Sequence, residues 1–220
     1  MNIQYYGHSC FKITTKPAGR ATDDITIFFD PFDKETGLRP PQGQASLVLV
    51  SHDHHDHNNV AALKGEPVVL DTAGEYSVKG VNIVGIEAYH DEKEGQERGK
   101  VNLFILETEG FKICHLSDLG TDLTPKQLEE IDGVDILFIP VGGTYTIDGK
   151  KAAEIARKIE PAMVIPMHYK VAGSTINISD EKNFCDSMGT CPKEKVSKLT
   201  LKKKDLEGKN LEVVLMNPEA

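Results

Sequence analysis

The chain has 220 residues, of which 39% are hydrophobic and 27% charged, and its formal net charge is −9. This length and composition predict one globular domain spanning residues 1–220. The acidic balance argues against binding to long nucleic acids, and no apolar run approaches the ~20 residues that cross a bilayer. The N-terminus lacks the basic and apolar regions of a signal peptide, so we expect a cytoplasmic protein. Its four cysteines, none in a Cys-x-x-Cys pair, are expected to be reduced thiols.

The first part of the chain predicts short strands separated by turns. The strands cover 2–6, 10–15 and 24–29, with turns at 16–19 and at Asp30-Pro31. Between the first two strands, a Gly-His-Ser turn leaves His8 at a strand edge. A structural role and a role in a pocket both stay open for His8, since a lone histidine at a strand end is usually structural. Residues 33–45 are rich in proline and glycine and predict a loop that borders a site.

Four histidines are interleaved with two aspartates from His52 to His57. The apolar run 47–50 before this cluster predicts a buried strand, and an asparagine pair after it offers a helix N-cap. Histidine-rich tracts also occur in tags and surface patches, but those are seldom internal and preceded by a core strand. Imidazole and carboxylate suit zinc, and manganese and iron also accept them. Six candidate ligands exceed the four of one tetrahedral ion, which indicates two ions.

The middle of the chain places further histidines and an aspartate after predicted strands. The pattern predicts strands at 67–70, 81–89, 101–108 and 111–116. His90 follows the second of these strands, His115 lies in the last, and Asp118 comes shortly after it. The charged segment 91–100 predicts a mobile loop. On strand alternation, His115 shares a face with Ser117, whereas Asp118 lies on the opposite face. We therefore expect His115 to be buried or to orient a ligand, with direct metal binding by His115 as the alternative.

Helices and strands alternate in the second half of the chain. The pattern predicts helices from Thr124 to Gly133 and over 152–159, strands over 135–140 and 163–166, a short helix after Asn177, and tail strands at 197–203 and 211–216. The paired glycines at Gly143, near Tyr145, allow a backbone to approach a ligand closely, with a simple turn as the alternative. His168 follows the next strand. Three separate strand ends thus deliver His or Asp side chains.

The pattern His52-x-His54-x-Asp56-His57 resembles the metal-binding signature of the metallo-β-lactamase superfamily. The resemblance implies an α/β fold, the four-layer αββα sandwich of that family, over nearly the whole chain. By this resemblance, one metal takes His52, His54 and His90, the second takes Asp56, His57 and His168, and Asp118 bridges them. The family usually has Gly-Asp at the bridge, where this chain has Ser117-Asp118; the carboxylate that a bridge requires is kept.

Two shorter motifs resemble one subgroup of the superfamily. Gly-His-Ser at His8 and Phe-Asp-Pro at Asp30 are similar to motifs of the ascorbate-6-phosphate lactonases and of N-acyl-phosphatidylethanolamine phospholipase D. The resemblance implies a small lactone or phosphodiester as substrate.

Ligand chemistry and the family resemblance together predict a metal-dependent hydrolase. Two divalent ions, zinc first and manganese or iron as alternatives, would activate a bridging water, with Asp118 as bridge and Asp56 orienting the nucleophile. The expected partner is a small lactone, ester or phosphodiester, and the oligomeric state is left open. The alternatives are a di-iron oxidoreductase, whose signature typically has Glu at the position of His54, and a non-catalytic metal-binding protein of the same fold.

Overall fold

The computed structural model describes residues 1–16 and 23–219. Its strands are β1 (Asn2–Gly7), β2 (Cys10–Thr15), β3 (Ile25–Phe29), β4 (Leu47–Leu49), β5 (Val68–Leu70), β6 (Gly74–Val78), β7 (Val81–Tyr89), β8 (Lys100–Thr108), β9 (Phe111–His115), β10 (Ile136–Pro140), β11 (Met163–Met167), β12 (Leu199–Thr200) and β13 (Glu212–Val213). Its α-helices are α1 (Pro125–Ile131), α2 (Gly149–Ile159) and α3 (Lys182–Met188). The turn predicted at 16–19 lies, beyond its first residue, outside the described residues.

The strands form two mixed sheets. One sheet has the order β12-β1-β2-β3-β4-β5, and the other has the order β13-β11-β10-β9-β8-β7-β6. Strands β3, β4 and β5 are parallel, as are β9, β10, β11 and β13. The hairpin β8–β9 forms as its sequence predicts. Strand β6, which pairs with β7, is not among the strands that the sequence predicts.

The two sheets pack face to face around a continuous apolar core. Phe11 of β2 stacks on Phe138 of β10 across the interface, with ring centroids 4.0 Å apart. Each ring is fully buried, and burial of such a side chain contributes about 1.5–3 kcal/mol. All of β10 and β11 is buried on both faces, because α2 covers the outer face with its alanine and isoleucine stripe. The predicted sandwich architecture is confirmed.

The helical layers differ between the two sheets. Thr124 caps α1 with the predicted capping box to Gln127. Helix α2 packs on β10 of the second sheet, and α3 packs against α2. The helix expected after Asn59 is only a 3-10 turn, Val60–Ala62. The Asn59 side chain donates to the Phe32 carbonyl instead of capping a helix, so this segment folds down onto the sheet. Among the described residues, no helix is long and apolar enough to cross a bilayer.

The tail forms shorter strands than its sequence predicts. Strand β12 extends the first sheet by pairing with β1, whereas β13 extends the second sheet by pairing with β11. The lysine-rich segment between them forms a 3-10 helix, Lys203–Leu206. Each tail strand is therefore an edge strand of a different sheet, and each pairs over two residues only.

The cysteines do not all remain reduced. Cys185 in α3 and Cys191 form a disulfide, with Cα atoms 5.1 Å apart. Gly189 adopts a left-handed conformation that ends α3 and turns the chain back, which sequence spacing alone does not reveal. The expectation of four free thiols is wrong for this pair, while Cys10 and Cys114 are free and buried.

Candidate metal centre

Strands from both sheets end at one rim of the sandwich and place polar side chains there. His8 follows β1, Asp30 follows β3, the cluster 51–57 follows β4, His90 follows β7, Asp118 lies three residues after β9, and His168 follows β11. All the single residues in this set are almost completely buried. Loops at the carboxyl ends of parallel strands are the usual ligand sites of α/β proteins.

Four residues at this rim have left-handed backbone conformations that are uncommon outside glycine. The φ angles of His8, Asp30, Ser117 and His168 are 54°, 43°, 48° and 49°. Hydrogen bonds hold two of these turns together, since the His168 N–H and the Tyr5 hydroxyl both donate to the His8 carbonyl, at 2.8 and 2.9 Å. Strained backbone of this kind persists where the surrounding structure fixes it, often at ligand sites.

One ligand group consists of His52, His54 and His90, whose ring nitrogens lie within 4.8 Å of one another. Nε2 of His52 is 3.0 Å from Nδ1 of His54. Burial, together with the nearby His57, lowers the pKa of His52 to about 2, and burial also lowers the pKa of His90. Both rings are therefore neutral at physiological pH and offer the lone pair that a metal requires.

The other ligand group consists of His8, His57, Asp118 and His168, again with donor atoms within 4.8 Å of one another. Nε2 of His8 and Nε2 of His57 are 3.0 Å apart. The Asp118 Oδ2 atom is 3.3 Å from His57 Nε2 and 3.1 Å from His168 Nε2. Asp56 adjoins this group, with Oδ2 at 3.1 Å from His8 Nε2 and 3.9 Å from His57 Nε2.

Asp118 lies between the two ligand groups. Its Oδ2 atom, close to His57 and His168, is also 3.6 Å from His90 Nε2 in the first group. Burial alone would raise the pKa of Asp118, but His168 and His57 hold it well below its usual range. The Ser9 hydroxyl donates to the other carboxylate oxygen at 3.2 Å. The side chain is thus an ionised carboxylate placed where it faces both groups.

Asp30 fixes the proton positions on one histidine of each group. Burial raises the pKa of Asp30, but the charge and the hydrogen bond of His57 outweigh burial and lower this pKa. Asp30 is therefore ionised and can only accept hydrogen bonds. His57 Nδ1 donates to Asp30 Oδ2 at 3.0 Å. The Ser51 hydroxyl donates to the same oxygen at 2.8 Å, so it can only accept from His52 Nδ1, 2.9 Å away. Both histidines therefore turn an Nε2 lone pair toward the cluster.

This arrangement fits metal ions. The His57 Nε2 atom faces His8 Nε2 and the oxygens of Asp56 and Asp118, and such acceptors repel one another unless a cation or a proton lies among them. Burial lowers the pKa of His57, but Asp118 and Asp30 outweigh burial and raise this pKa well above its usual value. A positive charge is therefore favourable at this position. Histidine and carboxylate donors in two groups that share a carboxylate suit divalent ions of the zinc, manganese or iron type.

The structure gives His115 a different position from His90. Its ring is fully buried and stacks on Phe29, with centroids 4.8 Å apart. The Ser117 N–H donates to Nδ1 at 3.2 Å, so Nε2 carries the proton and donates to the Ser9 carbonyl at 2.9 Å. Both ring nitrogens are thus engaged, which supports the expectation that His115 supports the site from behind.

Several predicted or unexpected residues form the surroundings of the cluster. His54, Asp56, His90, Asp118, His168 and Tyr145 line a cavity of about 520 Å³, and Gly143 lines its neighbour. A Cβ atom on Gly142 would lie 2.2 Å from the His168 carbonyl oxygen, and one on Gly120 2.2 Å from that of His90. Gly142 thus permits close packing against the backbone of His168, whereas the predicted approach of this glycine pair to a ligand stays a prediction.

Sequence reasoning missed the parts played by Asp30, Ser51 and Ser9, and it left His8 undecided. Asp30 sits in the Phe-Asp-Pro motif directly after a buried strand, the same signal that singled out His90 and His168. The position of Asp30 directly after a strand could therefore have indicated a role at the site. The hydrogen bond from the Ser9 hydroxyl to Asp118 joins residues 109 positions apart. The local sequence around Ser9 does not indicate this contact.

Two packed β-sheets with a histidine- and carboxylate-rich cluster at the strand ends define a metal-binding sandwich protein of the α/β class. Comparison with known proteins specifies this class further. The sequence model of the β-lactamase superfamily domain matches residues 2–168, and the chain belongs to this superfamily, the metallo-β-lactamase superfamily, as a metal-dependent hydrolase.

Relatives of similar length support this assignment. The UPF0173 metal-dependent hydrolase of Carboxydothermus hydrogenoformans is 28% identical over 200 residues, which cover 77% of this chain and 84% of that protein. The one from Thermococcus onnurineus is 27% identical, with coverage of 77% and 84%. A crystal structure from Thermotoga maritima, described as a zinc-dependent hydrolase of the metallo-β-lactamase superfamily, is 37% identical and has a TM-score of 0.75, covering 98% of this chain and 97% of that chain.

Proposed function

We propose that this chain hydrolyses a small lactone, ester or phosphodiester at a centre of two divalent metal ions. The observation that carries the proposal is the position of Asp118, whose Oδ2 atom lies 3.1–3.6 Å from ring nitrogens of both ligand groups. Two divalent ions of zinc, or of manganese or iron, would supply Lewis acidity there and would lower the pKa of a bound water.

The residues of the chain have distinct parts in this proposal. His52, His54 and His90 would hold one ion. His57 and His168 would hold the other together with Asp56, and Asp118 would be shared between the two groups. The ionised Asp118 would offset part of the charge of the two cations. Asp56 is 22% exposed toward the cavity, and its pKa is lowered by His8 and His57 against the effect of burial. It is therefore a carboxylate at neutral pH and can orient the attacking water by accepting a hydrogen bond from it.

The geometry adds His8 to the proposed ligands of the second ion. His8 Nε2 lies as close to His57 as the other members of that group. The Gly-His-Ser and Phe-Asp-Pro motifs around His8 and Asp30 resemble those of ascorbate-6-phosphate lactonases and N-acyl-phosphatidylethanolamine phospholipase D. This resemblance favours a lactone or a phosphodiester within the proposed substrate class. A cytoplasmic location remains a prediction from the sequence.

Metal replacement tests the proposal and separates it from a redox function. The metal-free protein is reloaded with zinc, manganese or iron and offered esters, lactones and phosphodiesters. Hydrolysis by the zinc or manganese form supports the proposal. A requirement for iron and an electron donor, without hydrolysis, would instead favour an oxidoreductase, against the presence of His54 at the position where that branch typically has Glu.

Metal analysis of two variants tests the ligand assignment independently of substrate. Because His52 and His57 lie in different groups, His52→Ala and His57→Ala should each lower the metal content from about two ions per chain. Full stoichiometry in both variants would refute the assignment. His55→Ala is a matched control from the same loop, since His55 is exposed and lies near Glu35 instead.

A further inference from the structure

The cavity above the candidate metal centre has an uneven distribution of charge. Among the described residues that line it, Arg98 is the one lysine or arginine, whereas Glu35, Asp56 and Asp118 are acidic. Asp56 and Asp118 face the proposed ions, and His55 lies 3.6 Å from Glu35. Arg98 therefore places a positive charge at the cavity wall, and this charge has no part in the proposed metal centre.

Arg98 is held in place rather than free to swing. Its guanidinium carbon lies 5.5 Å from the ring centroid of Tyr145, an attractive cation–π distance. Its nearest carboxylate oxygen, from Glu97, is 3.9 Å away, which leaves the guanidinium only weakly paired. Stacking on the ring occupies one face of the guanidinium and leaves its N–H edges available to a ligand.

The loop that carries Arg98 is organised by Asp91, the residue directly after His90. The Asp91 carboxylate accepts hydrogen bonds from the backbone N–H groups of Lys93, Gly95, Glu97 and Arg98, at 2.8–3.1 Å. The His90 N–H donates to the Gly99 carbonyl at 3.1 Å and closes the loop at its base. The segment expected to be mobile is thus tied to a proposed metal ligand.

Tyr145 is fixed to the other side of the centre. Its N–H donates to the Gly143 carbonyl at 2.7 Å, in the loop where Gly142 packs against the His168 carbonyl. Arg98 and Tyr145 therefore come from two loops, each anchored at a different histidine of the metal centre. Such anchoring keeps a binding group at a defined distance from the reacting atoms.

We infer that Arg98, oriented by Tyr145, binds an oxyanion substituent of the substrate, a carboxylate or a phosphate, while the scissile bond lies near Asp56 and Asp118. This inference rests on the proposed function. Paired guanidinium N–H donors match the geometry of both anions. The cavity volume of about 520 Å³ is that of a small-molecule site, so the substrate is a small acidic molecule.

The test compares substrates that differ only in charge. The zinc-loaded protein is assayed with 4-nitrophenyl hexanoate, mono-4-nitrophenyl adipate, and the equivalent ester with a terminal phosphonate. Arg98→Ala should lower the ratio of kcat/KM for the anionic to the neutral ester by about 10- to 100-fold, mainly through KM. Lys150→Ala is the matched control, because Lys150 is exposed and lines the neighbouring cavity but not the one above the metal centre; it should keep the ratio. The phosphonate and carboxylate esters show which anion is preferred.

A binding measurement keeps this inference separate from the proposed reaction. Calorimetry on the zinc-loaded protein compares adipate with hexanoate, and Arg98→Ala should remove the preference for adipate. The wild-type protein could hydrolyse none of the esters and still prefer adipate, with that preference lost in Arg98→Ala. This result would refute the proposed hydrolysis and support the anion site. An adipate preference that is absent in the wild-type protein, or unchanged in Arg98→Ala, overturns the inference.

Discussion

Oδ2 of Asp30 lies 3.0 Å from Nδ1 of His57, and both side chains are almost completely buried. Through Ser51, the same carboxylate oxygen also sets the proton position on His52. One residue at the end of β3 therefore prepares a histidine in each of the two ligand groups. Partners of this kind raise the basicity of a metal ligand and fix its orientation.

Replacing Asp30 should weaken metal binding at both positions. Asp30→Asn keeps the size of the side chain but removes its charge, and changes behind a ligand typically cost about 10- to 100-fold in metal affinity. Ser51→Ala is the matched variant, since it removes the hydroxyl that links Asp30 to His52 but keeps the bond between His57 and Asp30. It should mainly affect one ion. Competition with a chelator, followed by metal counting, distinguishes the two. Unaltered affinity in Asp30→Asn would refute this part of the proposal.

The positions of His90 and His115 predict different effects on metal binding. His90→Ala should lower metal affinity strongly, because its ring nitrogen belongs to a ligand group. His115→Ala should do so less, since both nitrogens of His115 bind other groups. Urea unfolding of both variants checks that a change in metal affinity is not a loss of fold. A larger metal loss in His115→Ala would show that the two residues have been assigned the wrong way round.

Two glycines should affect the two ions separately. An alanine methyl at Gly120 would collide with the His90 backbone, and one at Gly142 with the His168 carbonyl. Overpacking of this kind costs about 1–3 kcal/mol, and relief requires the histidine to move. We expect Gly120→Ala to reduce occupancy of the ion bound by His90, and Gly142→Ala that of the ion bound by His168. Metal titration with both variants tests this, and equal loss of both ions in each variant would contradict it.

The metal-free protein should lose stability in mild acid partly because of His115. Burial lowers the pKa of His115, although Asp30 opposes the shift. In the unfolded chain, His115 takes up a proton with a pKa of about 6.5, whereas in the native protein it stays neutral at that pH. The free energy of unfolding therefore falls as the pH drops below about 6.5. The decrease due to this group is at most about 1.4 kcal/mol per pH unit.

Urea unfolding at pH 7 and pH 5 measures this effect. His115→Gln removes the titrating group, so the free energy of unfolding should fall less in this variant than in the wild-type protein. His57 contributes with the opposite sign, because its pKa is raised, but it is present in both proteins and its contribution is common to both. Identical pH dependence in the two proteins would show that His115 does not stay neutral in the native state.

Much of this architecture follows from local sequence patterns. The buried strand before His52, the capped helix after Thr124 and the histidine after β11 are each encoded within about ten residues, so periodicity and spacing reveal them. His90 and His168 could be predicted for the same reason, since each directly follows an apolar strand.

The remaining features depend on contacts between distant segments. His8 joins the cluster because β1 contains an irregularity between Tyr5 and Gly7 and because its carbonyl pairs with His168. The disulfide depends on the turn after α3, and the segment after Asn59 folds onto Phe32 instead of forming a helix. Pairings of this range are decided by tertiary packing, which overrides local propensity.

The most direct test of the proposed centre is the turnover of Asp118→Asn at full metal occupancy. The amide is isosteric but neutral, so it bridges two cations poorly and leaves their charge unbalanced. The substrate is whichever ester, lactone or phosphodiester the wild-type protein hydrolyses fastest, and bound zinc or manganese is counted in the same sample. We expect kcat to fall by about 100-fold or more with both ions bound. Unchanged kcat at the same metal content would show that Asp118 is not the bridge.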